Sequence, residues 1–429
     1  MLKSYDTIII GAGPAGIFAA RNLDGKGKVL LIEKGSVDSK CPIITSCQRC
    51  RACSNICGIG GAGGKSDGKL AFGKAGMASE LYGDEYDKEM MWALSALLDN
   101  SKWEKDFVSG AREIEKGKEC SQEAVEVYHL GTSEIQKAFR KIFDGLTCDK
   151  EMDCQVFSFE VRDSSFCVHT SKGDFLGENL IIATGKGDIN LERSYTAIGL
   201  KRTSVRTSIG VRLEIPKEGM DYMKAKSNNL KIKKHYENAY VKTHCVCYAG
   251  EVVPYRAQQM SLVGGRADSY ALRDTSNVNI LYRSARQNSL DAALNTLRKF
   301  EKVSNGNVVY QTIDDFLESN ISDGLFIPNR DWEIKGDVSK LFDKTVYESL
   351  RDFLITVYEK KYIDIRHGLV HAPAAEWIVP QVSVNFNFET DVDGLFVVGD
   401  GSGKTQGILS AAVSALRATN VIRQRRNAA

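Results

Sequence analysis

Three glycines and one acid near the N-terminus are spaced to bind a nucleotide. Gly11, Gly13 and Gly16 follow the apolar run 7–10 in a G-x-G-x-x-G pattern, and Glu33 closes the next apolar run, Val29–Ile32, seventeen residues after Gly16. Gly11 permits a tight turn, Gly13 lets a diphosphate approach the backbone, and Gly16 lets a helix pack closely on the strand. A helix beginning near Pro14 points its unpaired N–H groups and the positive end of its dipole at that diphosphate. Glu33 is placed to accept hydrogen bonds from an adenosine ribose and disfavours a 2′-phosphate, which selects FAD or NAD over NADP. Ala12, Pro14, Ala15 and Lys34 complete the expected contact set on this side.

A second pattern, near the C-terminus, decides between the two nucleotides. The apolar run 395–398 delivers Gly399 and Asp400 to the carboxyl end of a strand, where ligands of open α/β sheets sit. A carboxylate there suits the ribityl hydroxyls of a flavin. Gly407 and Ile408 then open a helix whose first N–H groups can stabilise negative charge on a reduced flavin ring. Ala183, Thr184 and Gly185 follow the apolar run 180–182 in the strand-then-turn form that returns a chain to its nucleotide unit. FAD is therefore the expected cofactor.

The cysteines call for a second kind of chemistry. The chain has eleven, and five of them, Cys41, Cys47, Cys50, Cys53 and Cys57, fall within seventeen residues. The last four have the C-x2-C-x2-C-x3-C spacing of bacterial ferredoxins, which fits a [4Fe–4S] cluster held by three of the run plus Cys41 or Cys57. A structural zinc, a dithiol exchanging electrons with the flavin and a metal-free reduced loop are the alternatives. The loop, residues 36–75, runs on into a glycine-rich stretch containing Gly61, where backbone can lie close to a flavin ring. A redox centre there suits one-electron delivery from a ferredoxin-like donor. A second G-x-G-x-x-G unit for a resident nicotinamide is absent from the sequence, so NAD(P)H is expected only as a transient donor.

The order Gly11-x-Gly13-x-x-Gly16, Glu33, Ala183-Thr184-Gly185, Gly399-Asp400 is similar to FAD-dependent oxidoreductases of the glutathione-reductase and hydroxybenzoate-hydroxylase type. More narrowly, the cysteine run, the stretch 57–70, residues 208–214 and residues 243–253 resemble a largely uncharacterised family of FAD-dependent dehydrogenases. The resemblance covers most of the chain. It implies a fold and a flavin, and no substrate.

The remaining composition bounds the rest. At 429 residues with 43% hydrophobic content the chain can bury a large core. A formal charge of +2 gives no reason to expect nucleic acid or an acidic membrane as partner. With no apolar stretch near the length needed to cross a bilayer and an early first strand, a cytoplasmic protein is expected. The expected fold is α/β: a Rossmann-like FAD-binding domain from residues 1–190 and 372–429, with an inserted α+β substrate domain over 191–371. Residues 80–145 read as helical, 155–170 as a β-meander, and 290–303 and 338–360 as helices.

Candidate catalytic groups are His367 and His371, just before the last flavin segment, and Cys247, with His244, Cys245 and Tyr255 nearby in sequence. A flavin reaction often needs a positioned proton donor or acceptor. The function expected is an FAD-dependent oxidoreductase moving a hydride or electron pair between flavin and a small organic substrate, with the cysteine loop relaying electrons. The alternatives are a flavoprotein thiol/disulfide oxidoreductase and a non-catalytic flavin redox sensor.

Overall fold

The computed structural model describes residues 2–38, 41, 50–72, 76–98, 111–116, 120–125, 127–187, 191–200, 202–203, 207–227, 229–257, 260–268, 272–285, 290–322, 330, 332–377 and 381–428. Two sheets organise them.

The first sheet has seven strands. Its parallel core runs Asp149–Glu151, Val29–Ile32, Lys3–Ile10, Gly173–Ile182 and Leu395–Val397 in that spatial order. Ile10 is in register with Ile32 and Ile182, and Ile182 with Val397, so the carboxyl ends lie level. Gly11, Glu33, Ala183 and Val398 each follow one of these ends and so lie along one edge of the sheet, where an open α/β sheet has its crevice. Toward their carboxyl ends the four central strands are apolar, because helices cover both faces of a parallel sheet: Ile8, Ile9, Leu30, Leu31, Ile181 and Phe396 are all fully buried. Helix Pro14–Leu23 and the C-terminal helix Ile408–Ala428 pack together on one face. Strands Val156–Arg162 and Ser165–Thr170 extend the sheet as the expected antiparallel meander. The fold is α/β and Rossmann-like, with an inserted α+β unit built on the second sheet.

That second sheet has nine strands, and its central part is antiparallel. Its two faces differ. Val211, Leu213, Ile232, Val241, Val278 and Ile280 face helix Lys344–Glu359 and its neighbours in a buried core. The intervening residues, Arg212, Glu214, Lys231, Lys242, His244, Asn277 and Asn279, alternate onto the other face. A row of directly opposed residues crosses this face: Glu123 with Lys231, His244 with Asn279, Asn279 with Arg212, and Arg212 with His371.

Sheet membership differs from the expected segmentation in two places. Strands Ala111–Lys116 and Cys120–Val125, within a stretch that reads as helical, pair into the nine-stranded sheet. Cys120, Gln122 and Ala124 are buried while Ser121 and Glu123 are more exposed, a period-two burial that overrides local helix preference. Strand Leu369–Trp377 also belongs to this sheet, although the expected boundary fell at 371/372. The flanking helices at Tyr86–Leu97 and Thr132–Gly145 form as expected, as does Leu290–Val303. The stretch expected as one helix from 338 divides into a short 3-10 turn, Val338–Leu341, and helix Lys344–Glu359.

Candidate active site

Two of the glycines that shape the crevice leave no room for a side chain. Gly11 has φ +104°, and a Cβ there would lie 2.6 Å from the Ala183 carbonyl oxygen; a Cβ on Gly16 would lie 1.7 Å from the Gly11 carbonyl oxygen. These two positions are closed by backbone. Gly13, the residue before helix Pro14–Leu23, is different: a Cβ there meets nothing within 4 Å, and the same holds at Gly185. Open space therefore lies beside bare backbone at a helix N-terminus, as a diphosphate requires. A Cβ on Gly63 would touch both Pro14 and Ile408, so the N-termini of the first and last long helices meet around it. Gly61, at φ +53°, packs its backbone against Gly13.

Glu33 is buried and already accepts three backbone N–H groups, from Ala12 at 2.8 Å, Gly35 at 2.8 Å and Gly58 at 3.0 Å. Two of these fall on Oε1 and one on Oε2. A carboxylate has about four lone-pair sites, which leaves room on Oε2 for one further donor. Glu33 thus also fastens the end of the cysteine loop to the first strand-helix turn, a role its spacing did not reveal. Thr405 Oγ1, near the turn into the last helix, is buried with no hydrogen-bond partner among the described residues.

Asp400 stands at the other end of the crevice. Its Oδ1 accepts the Gly407 N–H at 3.2 Å, and its Oδ2 lies 3.6 Å from Lys186 Nζ. Burial raises the Asp400 pKa, against the opposing pull of Lys186 and the Gly407 N–H. Gly399 packs against Ala15, and Gly401 against Gly185, which joins the three nucleotide segments.

The polar face of the nine-stranded sheet meets this crevice through Glu376. Gln406 donates to Glu376 Oε1 at 2.6 Å; Lys242 and Arg283 reach Oε2 at 2.5 and 3.3 Å; His244 Nε2 lies 3.5 Å from Oε1. Against the upward push of burial, His244, Lys242, Lys186 and Arg283 hold Glu376 well below the usual carboxylate range. Burial and the neighbouring lysines also lower the His244 pKa, well below 6.5, against the upward pull of Glu376. At neutral pH the pair is a neutral imidazole beside a carboxylate.

A second polar group joins the glycine-rich stretch to the same sheet. Asp67 pairs with Lys69 at 3.0 Å, and Lys69 donates to the Val246 carbonyl. Cys247 Sγ lies 3.2 Å from Arg212 Nη2 and 3.6 Å from Asp67 Oδ2. Burial pushes the Cys247 thiol up to about 12, so it is protonated at neutral pH and no ready nucleophile.

The two expected catalytic histidines lie elsewhere. His371 is fully buried; Nδ1 is 2.7 Å from Glu333 Oε2 and Nε2 is 3.1 Å from Glu214 Oε2. Arg330 grips Glu214 with both terminal nitrogens, at 2.9 and 2.6 Å. His371 thus has both ring nitrogens engaged and no exposed surface. His367 sits in an exposed turn at φ +57°, before strand Leu369–Trp377 begins.

Cys53 and Cys57 occupy a turn in which the Cys57 N–H bonds the Cys53 carbonyl, and Cys53 Sγ accepts the Arg256 N–H at 3.4 Å. Burial pushes the Cys57 thiol up to about 12. Cys50 is exposed and Cys41 half-buried; Cys47 lies outside the described residues. Among the described residues, no three of these sulfurs come together as a metal site; one set of three possible ligands does, Glu160, Cys167 and His169 on the meander.

Lys186, Asp67, Lys69, Lys242 and Glu376 escaped sequence reasoning. Asp67 and Lys69 lie inside the glycine-rich stretch that carries the family resemblance. Lys242 and His244 alternate with buried Val241 and Thr243, a pattern that marks a polar sheet face but not what it faces.

No protein-family profile matches the chain. It is similar to a protein of Clostridium beijerinckii (strain ATCC 51743 / NCIMB 8052) described as an uncharacterized protein, 23% identical over 450 residues, covering 96% of this chain and 79% of that one. Among solved structures, it is similar to a geranylgeranyl bacteriochlorophyll reductase-like protein from Thermoplasma acidophilum, at 13% identity and a TM-score of 0.48, covering 100% of this chain and 80% of that one. It is also similar to glycine oxidase from Geobacillus kaustophilus, at 12% identity and a TM-score of 0.45, covering 98% and 95%. A flavoprotein/dehydrogenase from Cytophaga hutchinsonii matches at 13% identity and a TM-score of 0.45, covering 99% and 79%. No helix among the described residues is long and apolar enough to cross a membrane.

Proposed function

We propose that this chain is an FAD-dependent oxidoreductase that moves a hydride or electron pair between flavin and a small organic substrate. The observation that carries the proposal is the convergence of open backbone at Gly13, the acceptor site left on Glu33, and Asp400 beside Gly407 on one crevice. An NAD-only site has no use for the second half of that set. The first helix N-terminus would hold the diphosphate, Glu33 a ribose hydroxyl, and Asp400 the ribityl chain. The Thr405 hydroxyl, without a partner among the described residues, would give one more polar contact. FAD, when bound, supplies the two-electron redox chemistry.

The protein's own contribution is proton handling and positioning. An ionised Glu376 can only accept, so His244 presents its N–H at Nε2 toward Glu376 and keeps Nδ1 as an acceptor. His244 Nδ1 is then the base of this site, and Lys242 and Arg283 keep Glu376 ionised. The inserted unit supplies these groups and is the substrate domain in this reading.

A [4Fe–4S] cluster in residues 36–75, relaying electrons from a ferredoxin-like donor, is the finer part of the proposal. It is supported by the spacing of Cys47, Cys50, Cys53 and Cys57 and by the tie from Gly58 to Glu33. The test of both parts is anaerobic purification, with the absorption spectrum, the acid-released cofactor's mass and iron and zinc content measured on the same sample. Flavin bands with FAD released support the first part, and iron with broad visible absorbance supports the second. Zinc without iron would replace the relay with a structural metal.

A further inference from the structure

Lys231 stands out on the polar face of the nine-stranded sheet because its charge is not answered. Lys242 and Arg283 share Glu376, Lys69 is matched by Asp67, and Lys186 lies beside Asp400. Lys231 has no acid within ion-pair distance among the described residues. Its cross-strand neighbour Glu123 is exposed and makes no ion pair with it. Yet Lys231 is only partly exposed, on a strand whose alternate residues, Leu230 and Ile232, are fully buried. Lys231 shares the polar face with Lys242 and His244 of the adjacent strand, where Lys233 is in register with Lys242.

An unpaired ammonium in that position is costly. Exposed cations are solvated and need no partner, but one withdrawn from water is stabilised by an anion, and without one burial drives it toward the neutral amine. Burial does lower the Lys231 pKa. Lys242 and Lys69, both cations, add to that effect, and Cys245 and Glu376 offset part of it.

We infer that Lys231 is the receptor for an anionic group on the substrate, a carboxylate or a phosphate, bound beside His244 on the sheet face that borders the crevice. This rests on the oxidoreductase reading and adds the substrate's class to it. The anion end is held by Lys231, and His244 is left next to the substrate's reacting end. Lys242 stays with Glu376, so the two lysines have different tasks: one binds, the other keeps an acid ionised.

The experiment has two readouts on the purified full-length protein. The first is acylation of Lys231 by an amine-directed reagent, followed by peptide mass analysis, with and without pyruvate, succinate or inorganic phosphate. Protection of Lys231 by at least one of the three, with none from the uncharged methyl pyruvate or succinamide, is expected. Unchanged Lys231 labelling with all three anions, or equal protection by the uncharged analogues, overturns the inference. The second readout is the shift of the bound flavin's absorption on titrating the protective anion. Lys231→Gln should raise the apparent Kd at least tenfold while leaving the ligand-free flavin spectrum in place; an unchanged Kd overturns the inference. A protein that holds no flavin but still shows protected Lys231 would retain the anion site and lose the oxidoreductase reading. Flavin binding without protection would do the reverse.

Discussion

Replacing Glu214 with Gln separates a structural His371 from a chemical one. Glu214 is nearly buried and is gripped by Arg330 and His371 together. Despite burial, those two partners bring its pKa from an ordinary 4.5 to about 2. A shift of that size corresponds to on the order of 3 kcal/mol of folding stability, at about 1.4 kcal/mol for each tenfold change. The folded pKa is depressed, so this contribution is complete above pH 4.5 and disappears as pH falls toward 2. His371 shifts the other way: against the pull of burial, Glu214 and Glu333 raise it above 6.5. Its contribution is complete below pH 6.5 and is lost as pH rises through the raised value. The two shifts share one interaction and do not add. Wild-type stability from this cluster is therefore greatest between about pH 4.5 and 6.5. Glu214→Gln should lose about 3 kcal/mol at pH 6 and show a flatter stability profile between pH 4.5 and 2. Chemical denaturation at pH 6 and thermal unfolding followed by circular dichroism across pH 3–9 read both effects. The folded variant should still bind flavin. A variant as stable as wild type that cannot reduce its flavin would refute the structural assignment and return His371 to the chemistry.

Gly16→Ala puts a Cβ 1.7 Å from the Gly11 carbonyl and should prevent folding or flavin uptake altogether, whereas Gly13→Ala puts one into open space, so the protein should fold with near-wild-type melting and lose flavin affinity at least tenfold in equilibrium titration. If His244 takes the substrate proton, kcat/KM should stay flat from pH 8 to 6.5 and fall only at lower pH, because burial holds its pKa well below 6.5; His244→Gln should remove that acid limb along with most of the activity. Glu376→Gln leaves Lys242 and Arg283 without their shared carboxylate and should cost roughly 3–5 kcal/mol of stability, read by denaturant titration. Cys50→Ser and Cys53→Ser should each abolish iron content if the loop holds a cluster, measured by metal analysis after anaerobic purification.

The nucleotide half of the molecule was readable because its signals are local. The turn at Gly11 and the cap at Gly13 depend on residues adjacent in the chain, and the run Leu180–Ile182 looks like a buried strand because both its faces are covered. The chemistry of the inserted unit was hidden because it forms across strands. Glu376 meets Lys242, Arg283 and Gln406 from three distant segments, and no spacing in the sequence records that meeting. His371 shows the same limit from the other side. Its position just before the flavin segment looked functional, while its true partners, Glu214 and Glu333, lie 157 and 38 residues away. Strand Cys120–Val125 was missed because it pairs with Leu230–Tyr236, about a hundred residues on, and long-range pairing overrode its local preference.

The absorption spectrum of freshly purified, folded protein tests the central claim most directly. Flavin bands are expected, or their appearance when FAD is added to stripped protein, with uptake weakened at least tenfold in Gly13→Ala. Folded protein that remains colourless and takes up no added FAD would contradict it.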